Sequence, residues 1–118
     1  MTTDLMNREC VPCEGETPPL TRVEAEQLLA NLDPSWKIVD GVKIRREFLF
    51  KNFVRAMSFV DRVADVAESE GHHPDIHIFY HRVVLELTTH AIHGLSENDF
   101  IVAAKIEPMI ALGSRDIS

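Results

Sequence analysis

Apolar positions along this chain switch between the helical period of about 3.6 residues and the strand period of two, and the switches mark seven elements. Thr21 with Glu24 forms a capping box, the threonine oxygen taking a free helix amide while the glutamate reaches back. Val23, Gln27, Leu28 and Leu32 then line one face of a short helix. It stops before Asp33-Pro34, because the residue ahead of a proline avoids helical geometry. Trp36, Ile38, Val42, Ile44 and Phe48 alternate about Asp40-Gly41, a dipeptide suited to the positive φ angles of a tight hairpin turn. Over residues 51–70 the helical period returns, with Val54, Met57, Val60, Val63, Ala64 and Ala67 as the apolar stripe and Gly71 as its natural stop. Residues 75–80 and 82–89 alternate again, Ile76, Ile78 and Tyr80 with Val83, Leu85 and Leu87 forming the better core face. Ser96 and Asp99 cap a last helix carrying Phe100, Ile101, Ala104 and Ile106, which Pro108 ends or bends.

The predicted order is α-β-β-α-β-β-α. Short hairpins favour an antiparallel sheet, so the fold class is α+β: a four-stranded antiparallel sheet with three helices packed on one face. Residues 1–19, with no period and Pro12, Gly15, Pro18 and Pro19, read as a flexible N-terminal arm. The domain proper occupies 20–112 and a C-terminal tail 113–118. At 118 residues and 45% apolar, one compact domain builds its core unaided.

Charge narrows the partners. Twelve Lys and Arg against 19 Asp and Glu give a formal net charge of −7, which repels nucleic-acid backbones. No apolar run reaches the roughly 20 residues that span a bilayer, and Met1–Glu9 lacks the layout of a secretory signal, so the expected location is cytoplasmic. Cys10 and Cys13 allow three readings: half of a zinc site, a redox pair, or two reduced thiols on the arm.

The candidate chemistry is histidine. All six histidines fall between positions 72 and 93, and imidazole both gives and takes a proton near neutrality. His72 and His73 lie in a loop held stiff between Gly71 and Pro74. Pairing of the last two strands brings His90, at the end of the second, beside that loop; such convergence is what a site looks like. His77, His81 and His93 read as surface residues. A three-histidine zinc or iron site is the alternative, although adjacent histidines seldom aim two rings at one ion and no helical pair four residues apart is present.

The spacing Glu68, three residues, His72-His73-Pro74, five residues, Tyr80, nine residues, His90, eight residues, Asp99 resembles the pterin-4a-carbinolamine dehydratases. The segments around Glu70–Asp75 and Gly94–Phe100, and the Cys-Val-Pro-Cys-Glu-Gly opening, resemble its bacterial branch. His93 stands where that pattern has glycine, and Met1–Glu9 matches nothing in it. The resemblance implies a metal-free and cofactor-free lyase that dehydrates 4a-hydroxytetrahydrobiopterin to quinonoid dihydropterin. It further implies a homodimer or homotetramer and a functional link to an aromatic amino-acid hydroxylase whose cofactor is recycled. By the same resemblance His72 and His90 are the acid–base pair, His73 contacts substrate, and Glu68, Pro74, Asp99 and Trp36 support substrate binding. Relatives of this fold also act as a dimerisation cofactor or assist carboxylase assembly, so a non-catalytic assembly role, or a broader pterin or molybdopterin role, is the alternative.

Overall fold

The computed structural model describes residues 5–11 and 18–115, with 111–115 described by their backbone alone. Its elements follow the expected order: α1 (Arg22–Leu29), β1 (Lys37–Val39), β2 (Lys43–Leu49), α2 (Phe53–Glu70), β3 (Asp75–Phe79), β4 (Arg82–Leu87) and α3 (Glu97–Arg115). The strands form one antiparallel sheet in the order β1-β2-β4-β3, so each hairpin gives one inner and one edge strand. The register sets Ile44 opposite Leu87, Phe48 opposite Val83 and Ile76 opposite Leu85, which lines up apolar residues on the helix-covered face. Ile44, Val83, Leu85 and Leu87 are fully buried there with Phe59 and Val63 of α2 and Phe100, Val102 and Ile106 of α3. Burial of each such side chain contributes about 1.5–3 kcal/mol.

Local chemistry explains the boundaries. Glu24 N–H donates to Thr21 Oγ1 at 3.2 Å and Thr21 N–H to Glu24 Oε1 at 2.8 Å, the reciprocal capping box at the start of α1. Asn52 caps α2 by accepting from Arg55 N–H at 2.9 Å. The first hairpin turns through Asp40 (φ 54°) and Gly41 (φ 73°), the pair of left-handed residues that matches strand twist. Gly71 at φ 66° and ψ 27° ends α2.

Several positions differ from the periodic reading. Val23 of α1 is exposed and Ala25 is its buried residue, while Leu32 is buried in the turn beyond the helix. In α2 the buried stripe is Ala56, Phe59, Val63 and Ala67, with Val54 and Ala64 in solvent. The helix is turned so that Phe59 sits among Phe48 and Phe50, ring centroids 4.8 and 5.0 Å away. Ile78 faces solvent more than expected because β3 has a neighbour on one side only, and Tyr80 is exposed in the turn beyond it at φ 57°. α3 runs through Pro108 to Arg115, past the expected start of the tail. Leu5–Val11, read as part of an arm, lie against the domain: Leu5 is 2% exposed within the core. Among the described residues no helix is long and apolar enough to cross a membrane.

Candidate active site

The site is built where α2 ends and β4 ends. Gly71 breaks α2 and delivers His72 and His73 into the connection to β3, with Pro74 fixing the next residue's approach to the sheet. Asp75 pairs with Glu86, so the chain beyond Leu87 runs beside that connection. There Thr89 N–H bonds Gly94 O at 2.9 Å, closing a small loop whose first turn is a 3-10 helix, His90–Ile92. His93 completes it at φ 54°, a left-handed conformation. Glycine enters that region without steric cost, and His93 adopts it with a side chain.

A cleft of about 680 Å³ opens between these pieces, lined by His72, His73, His90 and Glu68 together with Thr88, Thr89 and Ala91. Asn98 of α3 and the segment Cys10–Val11 form its remaining wall. Sequence elements far apart therefore present three imidazoles to one space.

Behind His72 lies a directed hydrogen-bond chain. Asp99 is completely buried in the first turn of α3. Its Oδ2 accepts from Ser96 N–H and from Thr89 Oγ1–H, both at 2.9 Å. Since the Thr89 hydroxyl donates to the carboxylate, it must accept from Ser96 Oγ–H, 2.7 Å away. Asp99 Oδ1 is left for His72 Nε2, at 2.6 Å. An ionised carboxylate only accepts, so Nε2 carries the proton and Nδ1 is the nitrogen left for other partners. His73 Nε2 meets Glu68 Oε2 at the same distance, but both side chains are exposed, so that pair is loosely held.

A second cluster braces the wall. Glu70 Oε2 accepts from Lys105 Nζ at 2.6 Å and Oε1 from Cys10 N–H at 2.9 Å. The Lys105 ammonium and the Cys10 amide hold the Glu70 carboxyl below its ordinary 4.5. Burial first, and then the Glu70 charge, push the Cys10 thiol up to about 12, so it is protonated at neutral pH. Glu70 binds its proton less tightly when folded than when unfolded. Its stabilisation is therefore full above pH 4.5 and is lost as pH falls through the lowered folded value. Glu70→Gln is expected to lower Tm by several degrees at pH 7 and to converge with wild type in acid; thermal melts between pH 7 and 3 check this.

Of the residues expected in the site, His72, His73, His90 and Glu68 line the cleft, and Asp99 supports it from behind. Pro74 is half-buried and does not line it. Trp36 is elsewhere: it is 1% exposed, its ring packs edge-on to Phe48 at 6.0 Å, and β2 and β4 separate its neighbouring strand β1 from β3. Its expected substrate contact has no counterpart in the cleft lining. Thr89, Asn98 and Val11 carry no motif signal of a site in the sequence beyond the place of Thr89 beside His90, and Cys10, read as one of a cysteine pair on the arm, lines the cleft with them. Cys13 lies outside the described residues. Among the described residues, no three His, Cys, Asp or Glu side chains are grouped as metal ligands.

Comparison with known proteins finds relatives over most of the chain. A family model described as Pterin 4 alpha carbinolamine dehydratase covers residues 18–109. A protein of Nitrosomonas eutropha provisionally named pterin-4-alpha-carbinolamine dehydratase is 50% identical over 107 residues, 91% of this chain and 94% of its own. One of Nitrosomonas europaea with the same provisional name is 51% identical over 104 residues, covering 88% and 91%. The crystal structure of a transcriptional coactivator/pterin dehydratase from Brucella melitensis superposes with a TM-score of 0.73 at 38% identity, over 78% of this chain and 98% of that one. A pterin dehydratase-like RuBisCO assembly factor of the alpha-carboxysome shares the fold, with a TM-score of 0.56 at 23% identity over 64% of this chain and 89% of its own. By sequence and fold, the chain belongs to the pterin 4 alpha carbinolamine dehydratase family.

Proposed function

We propose that this chain is a dehydratase acting on a pterin 4a-carbinolamine such as 4a-hydroxytetrahydrobiopterin. The observation that carries the reading is the meeting of His72, His73 and His90 in one cleft, with His72 anchored to a buried carboxylate. The reaction needs one proton given and one taken. The C4a–O bond breaks as the oxygen receives a proton from an imidazolium and leaves as water. The neighbouring ring nitrogen gives its proton to a neutral imidazole, and the electron pair of that N–H bond becomes the new C=N bond. Atoms and electrons balance without a redox partner or covalent nucleophile.

The hydrogen bonds suggest the roles. His72, with Nε2–H committed to Asp99, offers the Nδ1 lone pair as base, and the adjacent buried carboxylate stabilises the imidazolium that forms. Exposed His90 exchanges protons with solvent and serves as the acid. His73, backed by Glu68, contacts the ring. The same reading puts the protein in the cytoplasm, recycling the pterin cofactor of an aromatic amino-acid hydroxylase. It also has the chain working as a homodimer or homotetramer, which the free edge of β3 with exposed Ile78, Phe79 and Tyr80 supports.

The test is stopped-flow dehydration of synthetic 4a-hydroxytetrahydropterin. The expected result is a rate at least about 10³-fold over the buffer reaction, within reach of two positioned proton transfers at the low end of their range. A rate equal to buffer overturns the proposal.

A further inference from the structure

The family match starts at residue 18, yet residues ahead of it build part of the cleft. The segment Leu5–Val11 is strapped across α2 and α3 at successive points. Leu5 enters the core, and Arg8 Nη1 pairs with Glu97 Oε1 at 2.8 Å. Cys10 N–H donates to Glu70. Val11 is held in both directions by one side chain: its N–H donates to Asn98 Oδ1 at 3.1 Å, and its carbonyl accepts from Asn98 Nδ2 at 2.5 Å. Asn98 is 5% exposed, so this clamp is a fixed part of the fold.

We infer that the strap is the specificity wall of the cleft, admitting pterins with an uncharged ring substituent and turning away those bearing a carboxylate or phosphate. This rests on the dehydratase reading above. The end of α2 with its loop, and the end of β4, carry the three histidines that take the reacting edge of the ring. The substituent is left with the remaining wall, which is Cys10, Val11 and Asn98. Val11 is 64% exposed and stands at the mouth, where a substituent projects outward. Charge decides which substituent fits. The described lining residues include Glu68 and Glu70 but no lysine or arginine; Lys105, which pairs with Glu70, is not among them. An anionic group would enter a cleft with acidic neighbours and no lysine or arginine among its described lining residues, the one imidazolium of the reaction being engaged with the leaving oxygen, within a chain of net charge −7.

The experiment compares two substrates on the full-length protein: the 4a-hydroxy forms of a tetrahydropterin with a methyl substituent and of one with a carboxylate on the same carbon. Wild type is expected to favour the methyl compound about tenfold or more in kcat/KM. Val11→Lys is expected to reduce that preference about fivefold, the size of one solvent-exposed charge pair, through KM for the carboxylate. Asn98→Ala, which unclamps the strap, is expected to reduce it too, whereas a merely structural loss would lower both substrates alike. No preference in wild type, or the same ratio in Val11→Lys, overturns the inference; Val11 is exposed, so its variant remains decisive even if Asn98→Ala fails to fold. Calorimetric binding of the two corresponding 7,8-dihydropterins separates the failures. If neither carbinolamine is dehydrated, the functional reading falls and the ratio of Kd values judges the wall; if neither dihydropterin binds, both fall.

Discussion

The double variant His72→Ala/His90→Ala is expected to lose at least about 10³-fold in kcat for carbinolamine dehydration while keeping its fold. Each positioned proton transfer contributes roughly 10²–10⁴-fold. The two act in one elimination, His90 on the departing oxygen and His72 on the ring nitrogen, so the double loss should fall short of the product of the single losses. Neither side chain belongs to the core: His90 is exposed, and His72 lies in a connection whose backbone is set by Gly71 and Pro74. Circular dichroism and Tm therefore separate loss of chemistry from loss of structure. His73→Ala serves as the internal contrast. Its ring pairs with exposed Glu68, so its effect should fall mainly on KM. A double variant as fast as wild type contradicts the assignment.

Asp99 carries the second large effect, on stability and rate together. Asp99→Ala leaves Ser96 N–H, the Thr89 hydroxyl and His72 Nε2–H without their acceptor in a fully buried place. At about 1–3 kcal/mol for each orphaned group, and with partial relaxation, the expected loss is about 3–5 kcal/mol, a large share of a small domain's stability. Asp99→Asn keeps the volume and isolates the proton logic. Its amide NH2 must face either the Ser96 and Thr89 donors or His72. Facing His72, it makes Nε2 the acceptor and moves the ring proton to Nδ1, the nitrogen proposed to act as base. Urea titration should show a smaller stability loss than for Asp99→Ala, while dehydration falls about 10²-fold or more. An Asn variant with wild-type kcat would show that the tautomer of His72 does not matter.

Much of this architecture was legible in the sequence because its signals are local. The Thr21–Glu24 box, the Asp40-Gly41 turn and the Gly71 stop each depend on a few adjacent residues, and each forms as expected. The gathering of His72, His73 and His90 needed one further step, the pairing of β3 with β4. What escaped was set by distant partners. Leu5–Val11 has no period because side chains nearly ninety positions away, such as Asn98, hold its backbone, and composition carries no trace of such bonds. The stripe of α2 is rotated because Phe59 seeks Phe48 and Phe50, a preference that an unweighted period cannot register. Trp36 shows the reverse case. A residue carried into the site by resemblance lies in the aromatic interior, with two strands between β1 and the edge strand that the histidine loop leads into.

The most direct test is a crystal structure of the protein with a bound 7,8-dihydropterin. The flat ring is expected to lie between the imidazoles of His72 and His90, with His72 Nδ1 facing a ring nitrogen and Nε2 still on Asp99. A ring bound anywhere else, or His72 turned so that Nε2 leaves Asp99 for the pterin, would contradict the proposed chemistry.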